Sequence, residues 1–348
     1  METRIDRLGS VRDGKIQQLK ELIAESENIV FLGGAGVSTE SGIPDFRSGT
    51  GIYNQDSGVT YRPIDIIAHD FFMENPDVFF DFYKRKLIYP DAKPNKAHKA
   101  LVRLEKQGKL KAIITQNIDN LHQEAGSKCV IELHGSVFRN YCMECGKKFD
   151  IEYIASQEGI PKCDKCGGIV RPDIVLYEEN LEHENVDAAI KACKKCDLFI
   201  IAGTSLTVYP AATFAQFLNH DRIVIINKSS TYMDLKAMLC IHDSVGKVLD
   251  EAVPKRVSKK TSAARSTAKK STAKKTASKT AKTATSAKSS KTAKAASKPS
   301  SKTSEKTTDK TVSKARSKTA KAAPAKTGAK KASKSSTTAK GKKQGSSK

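Results

Sequence analysis

Four cysteines stand in two Cys-x-x-Cys pairs, a spacing that suits a single metal ion. Cys142 and Cys145 form the first pair, Cys163 and Cys166 form the second, and 17 residues separate the pairs. Two thiolates on one tight turn can reach the same ion, and a second such turn completes a tetrahedron. Because sulfur would fill all four positions, we predict one structural zinc ion. A redox dithiol pair or free cysteines are the alternatives.

A glycine-rich segment lies near the N-terminus. The apolar run Asn28–Leu32 predicts a buried strand, and the run Gly33–Gly36 follows it directly. Glycines after a strand allow close backbone approach to a pyrophosphate, whose charge the N-terminus of a following helix favours. Thr39 stands where such a motif would have a third glycine, so a plain strand-to-helix turn is the alternative. The loop Pro44–Arg47 adds a carboxylate, an aromatic ring and an arginine, unless it is an ordinary surface turn.

Polar side chains follow a second strand candidate. Gln116, Asn117 and Asp119 come after the apolar run Ala112–Thr115. Open α/β sheets bind ligands at the carboxyl ends of their strands, so this run predicts part of a binding site. A helix-capping loop is the alternative, because Asn and Asp are common at helix starts.

A histidine and two small polar loops complete the candidates at strand ends. His134 follows the apolar run Val130–Leu133, and an imidazole that titrates near neutral pH can serve as a general base. Gly135 beside it would let a substrate backbone come close, whereas a purely structural histidine is the alternative. The loops Gly203–Pro210 and Asn227–Ser230 suit a ribose or an adenine, and equally a helix cap.

The elements that must position these residues alternate between strands and helices. Further strands are predicted at Leu198–Ala202 and Arg222–Ile226, and helices at residues 11–27, Asn95–Gln107 and Val186–Cys193. Such alternation is typical of a parallel α/β sheet that is covered on both faces. Residues 44–94 and 140–172 break the alternation and are predicted to be insertions. A third cysteine pair, Cys193 and Cys196, ends a helix and is predicted to be structural.

The charge divides the chain into two unlike parts. Lys255–Lys348 carries 30 Lys+Arg against Glu305 and Asp309, a net charge of +28, which leaves 31 bases and 36 acids in Met1–Pro254. The basic part has no aromatic residue and cannot bury enough apolar surface to offset its chain entropy. We therefore predict a folded domain over 1–254 and a disordered tail over 255–348. A single globule of 348 residues is excluded.

Together these motifs resemble those of the sirtuins, the NAD-dependent protein lysine deacylases. The matching stretches, in order, are Gly34–Ser38, Gly42–Arg47, Thr115–Asp119, His134–Gly135, the four cysteines, Gly203–Ser205 and Asn227. The likeness covers roughly residues 15–250 and leaves out the tail. It implies a Rossmann-like domain and a smaller lobe, which would combine a zinc-ribbon module at about 138–175 with a helical insertion at about 44–97.

The resemblance also implies roles for individual residues. The cofactor NAD would contact Ala35, Gly36, Thr39, Asp45, Phe46, Arg47, Gln116, Asn117, Ile118, Asp119, His134, Gly203, Thr204, Ser205, Asn227 and Lys228. A substrate peptide would add as a strand to Val175, Leu176 and Tyr177. His134, Asn117 and Asp119 would be catalytic, with His134 as the general base, and the four cysteines would hold the zinc ion.

The activity implied by this resemblance is deacetylation of protein lysines. The acyl oxygen would attack the ribose carbon as nicotinamide leaves, and the products would be lysine, nicotinamide and O-acetyl-ADP-ribose. A mono-ADP-ribosyltransferase and a non-catalytic NAD-sensing nucleic-acid-binding protein are the alternatives. Lys86, three residues after Tyr83, stands where relatives that prefer succinyl groups carry an arginine. Lysine lacks the bidentate fork of arginine, so we expect neutral acyl groups.

The tail resembles the arms of linker histones in composition. Its positive charges should bind nucleic acid by counterion release, without base readout because it has no aromatic residue to stack on bases. A solvated appendage, or a tail whose own lysines are substrates, are the alternatives. The N-terminus lacks a signal-peptide-like apolar stretch, and no apolar run approaches the ~20 residues that a bilayer requires. We expect a cytoplasmic protein, associated with the nucleoid or chromatin, and no membrane partner.

Overall fold

The computed structural model describes residues 4–208 and 211–255, and the predicted disorder of the tail falls, apart from Lys255, on residues outside this part of the chain. Its strands are β1 (Ile29–Gly33), β2 (Leu110–Thr115), β3 (Val130–Glu132), β4 (Gly135–Cys142), β5 (Lys148–Phe149), β6 (Val170–Ile174), β7 (Leu198–Ala202), β8 (Ile223–Ile226) and β9 (Leu239–Ile241). Its α-helices are α1 (Arg4–Glu25), α2 (Pro63–Ile66), α3 (His69–Glu74), α4 (Pro76–Lys86), α5 (Lys96–Lys106), α6 (Leu121–Glu124), α7 (Ile151–Ser156), α8 (His183–Lys195) and α9 (Val245–Ala252).

Six of these strands form one parallel sheet in the order β3-β2-β1-β7-β8-β9. When only these six strands are numbered in chain order, β7, β8 and β9 become strands 4, 5 and 6. The order is then 3-2-1-4-5-6, which is that of a dinucleotide-binding Rossmann fold. Every residue of β1, β7 and β8 is buried, which explains why these strands are apolar runs without alternation. One core lies between the sheet and α1, α5 and α9, and another lies on the opposite face under α8. The predicted parallel α/β sheet is confirmed.

Two elements at the end of the folded part were not predicted from the sequence. β9 is only three residues long, and α9 follows it closely. A three-residue strand carries too few residues to show a pattern of its own. It is defined by its pairing with β8, for example of Leu239 with Val224. The predicted helix at 11–27 is also longer, because α1 begins at Arg4.

A smaller lobe is built from the two segments that interrupt the alternation. The first supplies α2, α3 and α4, and the second supplies the antiparallel sheet β5-β4-β6. A separate apolar core joins them and contains five aromatic side chains from α3 and α4 that are almost fully buried, Phe72, Phe79, Phe80, Phe82 and Tyr83. The predicted Rossmann-like sheet with a smaller lobe is therefore confirmed, while the exact domain boundaries stay predictions.

Cys193 and Cys196 lie where α8 ends and β7 approaches. Both are buried, and the Cys196 thiol contacts the Cys193 carbonyl at 3.1 Å and His220 Nε2 at 3.4 Å. Burial raises the pKa of each thiol to about 12, which keeps the reactive thiolate scarce at neutral pH. Their surroundings fit structural thiols. Separately, none of the helices in the described ranges is long and apolar enough to span a bilayer.

Candidate active site

The loops after β1 and β7 meet where the strand order of the sheet reverses, which is where such sheets bind ligands. The Gly36 amide donates to the Gly203 carbonyl at 2.8 Å, and a Cβ on Gly36 would lie 2.7 Å from Gly203 Cα. The glycines therefore serve this close approach of two loops of the protein itself. The helix predicted after them is replaced by 3-10 turns at Ala35–Val37 and Thr39–Ser41, which end at Gly42 with a φ of 89°.

One cavity of about 780 Å³ opens at this point. Every residue predicted to bind the cofactor or the substrate lines it: Ala35, Gly36, Thr39, Asp45, Phe46, Arg47, Gln116, Asn117, Ile118, Asp119, His134, Val175, Leu176, Tyr177, Gly203, Thr204, Ser205, Asn227 and Lys228. The tertiary structure thus brings together side chains that are up to 193 positions apart. Their individual roles stay predictions.

His134 lies between β3 and β4 and faces this cavity. Its Nδ1 is 2.9 Å from the Gln116 carbonyl oxygen, which can only accept a hydrogen bond. Nδ1 therefore carries the proton, and Nε2 keeps a free lone pair. Burial lowers the pKa of this imidazole, against a smaller opposing effect of the bond to Gln116. Near neutral pH the ring is a neutral base.

A hydrogen-bonded chain orients the carboxylate of Asp119. The Ser38 hydroxyl donates to Asp119 Oδ2 at 2.5 Å and accepts from Asn117 Nδ2 at 3.1 Å. The other oxygen, Oδ1, accepts from the Leu121 amide at 3.0 Å at the start of α6. Asp119 thus contacts the first amide of a helix from the position before the N-cap residue Asn120, and it also lines the cavity. Burial raises the pKa of this carboxyl, while the Ser38 hydrogen bond opposes that rise.

The far side of the cavity is lined by the ends of β7, β8 and β9. The Thr204 hydroxyl accepts from Gln116 Nε2 at 3.1 Å, which ties the β2 and β7 loops together. Ser205 and Lys228 are exposed at the rim. Among the lining residues that the sequence analysis missed are Asp243 and Ser244, which connect β9 to α9, and Val245, the first residue of α9. It missed them because it did not predict these two elements.

A tyrosine pair joins the loop after Pro44 to the predicted substrate segment Val175–Tyr177. The Tyr53 and Tyr177 hydroxyls are 2.7 Å apart, and Arg47 donates to the Tyr177 hydroxyl at 3.3 Å. The Arg47 guanidinium also lies 5.4 Å from the centre of the Tyr53 ring. Neither Tyr53 nor this pairing was predicted, since both depend on contacts over 124 positions.

The backbone of Val175–Tyr177 is largely paired within the protein. Its three amides donate to the His134 carbonyl, to Glu179 Oε2 and to the Ile67 carbonyl, respectively. Among the hydrogen bonds of the described residues, the Val175 carbonyl and the Glu178 backbone have no partner. Strand addition at this segment would therefore use these groups.

Gly135 has a different role from the one expected. It adopts a φ of 73°, and a Cβ there would collide with the carbonyl oxygen of Asp173 in β6. The space beside Gly135 is filled by the protein's own strand and holds no room for a substrate backbone. The expected contact with a substrate at this glycine is wrong.

The four cysteines of the two predicted pairs cluster in the smaller lobe. All four Sγ atoms lie within 4.8 Å of one another, with Cys142 3.4 Å from Cys166 and Cys145 3.7 Å from Cys163. A tetrahedral ion with Zn–S bonds of ~2.3 Å requires S–S separations of about 3.8 Å, so the cluster fits zinc. Gly146 and Gly167, which follow the pairs, both have positive φ and close the two tight turns. The predicted zinc site is confirmed.

Comparison with known proteins agrees with this geometry. The family model described as "Sir2 family" matches residues 34–210. The chain belongs to the Sir2 family. An NAD-dependent protein deacetylase of Clostridium perfringens is 57% identical over 242 residues, which are 69% of this chain and 99% of that protein. One of Cutibacterium acnes is 49% identical, over 67% of this chain and 95% of that protein.

Solved structures of Sir2 proteins share the fold. A complex of Sir2 with a p53 peptide and NAD+ matches with a TM-score of 0.60 and 40% identity, over 67% of this chain and 95% of that one. A Sir2 homologue in complex with NAD matches with a TM-score of 0.61 and 38% identity, over 68% of this chain and 92% of that one. The predicted sirtuin resemblance of the folded part is thereby confirmed.

Proposed function

We propose that this Sir2-family protein is an NAD-dependent protein-lysine deacetylase. It would convert acetyl-lysine and NAD to lysine, nicotinamide and O-acetyl-ADP-ribose. The observation that carries this proposal is His134, a neutral base with a free Nε2 that lines the cavity at the switch point of a Rossmann-like sheet. Relatives 49–57% identical to this chain, named NAD-dependent protein deacetylases, support it.

The cavity fits NAD by its volume and by the types of its lining residues. The glycine loop offers backbone at close range, and Asp119 supplies a carboxylate that can stabilise positive charge developing nearby. When bound, NAD supplies the electrophilic ribose carbon and takes up the acetyl group. His134 Nε2 can accept a proton from a hydroxyl that reaches it, while Gln116 holds the ring in the required tautomer.

The substrate lysine would enter along Val175–Glu178. Val175 lines the cavity, and its unpaired carbonyl can accept a hydrogen bond from a substrate N–H, while the unpaired backbone of Glu178 can bind an extended peptide. Apolar side chains of the smaller lobe line the cavity here: Ile67, Leu87, Val137 and Ile151. Such a wall favours a neutral acyl group over a charged one.

The residues at the succinyl-specific positions support the same preference. Tyr83 is fully buried within the aromatic core, and neither it nor Lys86 is among the residues that line the cavity. The Lys86 ammonium instead donates to Gln55 Oε1 at 3.2 Å. We therefore expect acetyl and other short neutral chains to be removed faster than succinyl, in an assay with matched acyl peptides.

The experiment that tests the activity is an NAD-dependent assay on an acetyl-lysine peptide, with nicotinamide release and acetyl-ADP-ribose identified by mass spectrometry. His134→Ala should abolish turnover and leave NAD binding in place. ADP-ribose attached to protein would instead indicate a mono-ADP-ribosyltransferase. NAD binding without any turnover by the unmodified protein would indicate a non-catalytic sensor.

For the tail we propose binding to nucleic acid, and with it a cytoplasmic protein held at the nucleoid or chromatin. Its linker-histone-like composition and net charge of +28 over Lys255–Lys348 support a non-specific, salt-dependent contact. The test compares DNA retention of residues 1–254 with that of the full chain at two salt concentrations. Equal retention of the two proteins would contradict the proposal.

A further inference from the structure

The two 3-10 turns after β1 place Ser38 in the active-site cavity. Ser38 lies between the turns Ala35–Val37 and Thr39–Ser41, and its hydroxyl orients the Asp119 carboxylate. Turns of this kind are short, and their hydrogen bonds have poorer geometry than those of an α-helix. The position of the Ser38 hydroxyl therefore depends on contacts that hold the turns from outside.

Asn95 supplies such contacts from behind the turns. Its Nδ2 donates to the Val37 carbonyl at 2.8 Å and to Ser41 Oγ at 2.9 Å. Val37 directly precedes Ser38, and Ser41 ends the second turn. One amide group thus connects both turns, although it lies 58 positions from Val37 in the sequence.

The orientation of this amide is determined by its neighbours. The Ala97 backbone N–H, which can only donate, lies 2.8 Å from Asn95 Oδ1, and the Val37 carbonyl, which can only accept, lies near Nδ2. With the bond to Ser41 Oγ, both amide hydrogens and the amide oxygen have partners. A flipped amide would lose all three bonds.

Asn95 is itself held by a rigid element. It is the N-cap residue of α5, and its backbone amide donates to His98 Nδ1 at 3.2 Å, which completes a capping box. Leu101 and Leu104 of the same helix are fully buried in the core beside the sheet. A side chain fixed on a well-packed helix can hold a loop in one place.

We infer that Asn95 is a positioning residue of the active site, which holds the two turns so that Ser38 keeps the Asp119 carboxylate in place. This inference rests on the proposed deacetylase function, in which Asp119 stabilises developing positive charge. A misplacement of ~1 Å at such a group can cost roughly 100-fold in rate. Among the described residues, Asn95 is not part of the cavity lining, so its effect passes through Ser38.

The variant Asn95→Asp tests this role in the full chain. Aspartate keeps the shape and caps α5 equally well, but it has no N–H to donate to the turns. With saturating NAD we expect kcat for an acetyl-lysine peptide to fall roughly 10- to 100-fold. The KM for the peptide should change less than about twofold, because residues 175–178 are untouched.

The control Asn219→Asp makes the same substitution elsewhere. Asn219 is exposed and donates to the Lys194 carbonyl at 2.9 Å, outside the cavity. This variant should change neither kcat nor the peptide KM.

A second variant, Asn95→Ser, serves if the added charge of Asn95→Asp prevents folding. A serine hydroxyl can still cap α5, but it has one hydrogen where the amide has two. We expect kcat to fall roughly two- to tenfold, with a melting temperature close to that of the unmodified chain. An unchanged kcat in a folded Asn95 variant would overturn the inference.

A double-mutant cycle tests whether the effect passes through Ser38. Ser38→Ala removes the bond to Asp119, so adding Asn95→Asp should lower kcat by less than about twofold more. Effects that multiply in full would overturn the inference and leave the deacetylase proposal standing. Absence of turnover by the unmodified chain would refute the proposed function, and this role with it, so the two failures are distinguishable.

Discussion

At the residue scale, the tautomer of His134 decides what the cavity can do. A carbonyl oxygen cannot donate, so the contact of Nδ1 with Gln116 places the proton on Nδ1. The lone pair of Nε2 is then available without any change in the protein. Because burial lowers the pKa of His134, this neutral form persists to lower pH than in a free histidine.

A pH dependence follows for the deacetylation rate. We expect kcat/KM to rise with pH as His134 loses its proton, with a midpoint below the ordinary histidine value of ~6.5. His134→Ala should lower the rate by at least ~100-fold at every pH, while calorimetry still detects NAD binding. A midpoint above 6.5 in the unmodified protein would contradict this assignment.

The contacts of Ser38 in the site cannot be recognised from its position in the sequence. Its hydroxyl links Asn117 to Asp119 and so orients the carboxylate of the site, but it comes from a loop 81 positions away. In the sequence it is one small residue after a glycine motif. Local spacing gives no sign of this contact.

At the element scale, the Tyr53–Tyr177 pair connects the loop after Pro44 with the substrate segment. Both segments line the cavity, one on the predicted cofactor side and one on the substrate side. A hydroxyl–hydroxyl bond of 2.7 Å between them means that ordering one segment helps to order the other.

We therefore predict that this pair contributes to cooperative binding of NAD and peptide. Tyr53→Phe and Tyr177→Phe should each reduce, by roughly two- to tenfold, the factor by which an acetyl peptide strengthens NAD binding in calorimetry. The double variant should be no worse than Tyr177→Phe alone, since that single variant already lacks both the bond to Tyr53 and the bond to Arg47. Tyr61→Phe, with an exposed ring outside the cavity, is the control. Fully additive effects would rule out the coupling.

The zinc module gives a second prediction at this scale. Cys142 and Cys163 belong to the apolar core of the smaller lobe, so loss of the ion should loosen that core as well as the two turns. Cys163→Ala should remove the bound zinc, measured by metal analysis, and lower the melting temperature by several degrees. Cys129→Ala, at an exposed cysteine outside the cluster, should change neither. Full zinc content in Cys163→Ala would refute the assigned ligand set.

At the scale of the whole molecule, two buried histidines limit stability in acid. His98 and His122 lie with ring centres 4.7 Å apart and are almost fully buried, and among the described residues neither nitrogen of His122 has a hydrogen-bond partner. Burial lowers the pKa of His98 to about 4 and that of His122 well below its ordinary value. The folded protein cannot easily take up a proton at either ring.

The lowered pKa values of these two histidines determine whether the free energy of unfolding rises or falls with pH. Above pH ~6.5 both rings are neutral in the folded and the unfolded chain, so they do not make the free energy of unfolding depend on pH. Below that pH these two rings bind protons in the unfolded chain but stay neutral in the folded one. The free energy of unfolding should therefore fall by up to about 1.4 kcal/mol per pH unit for each ring as pH approaches 4.

Urea unfolding at several pH values measures this slope. His122→Phe should reduce it, because one of the two rings no longer takes up a proton on unfolding. His183→Gln, at an exposed histidine, should leave it unchanged. An undiminished slope in His122→Phe would contradict the assignment.

Much of this protein is determined locally, by short runs of the sequence itself. The strands β1, β2 and β7 are fully or almost fully buried, so each is readable as an apolar run, and the polar residues at their ends mark the edge that binds ligands. The cysteine pairs specify a metal site because each pair folds on its own turn. The charge of the tail likewise follows from composition alone.

Only the tertiary structure decided which of these pieces meet. The strand order places β1 beside β7, so that Gly36 packs on Gly203, and the small lobe brings Tyr177 to Tyr53. It also filled the space at Gly135 with strand β6, where sequence reasoning had expected a substrate. These contacts join residues 38 to 167 positions apart, and the energy of such a contact depends on packing that no local pattern encodes.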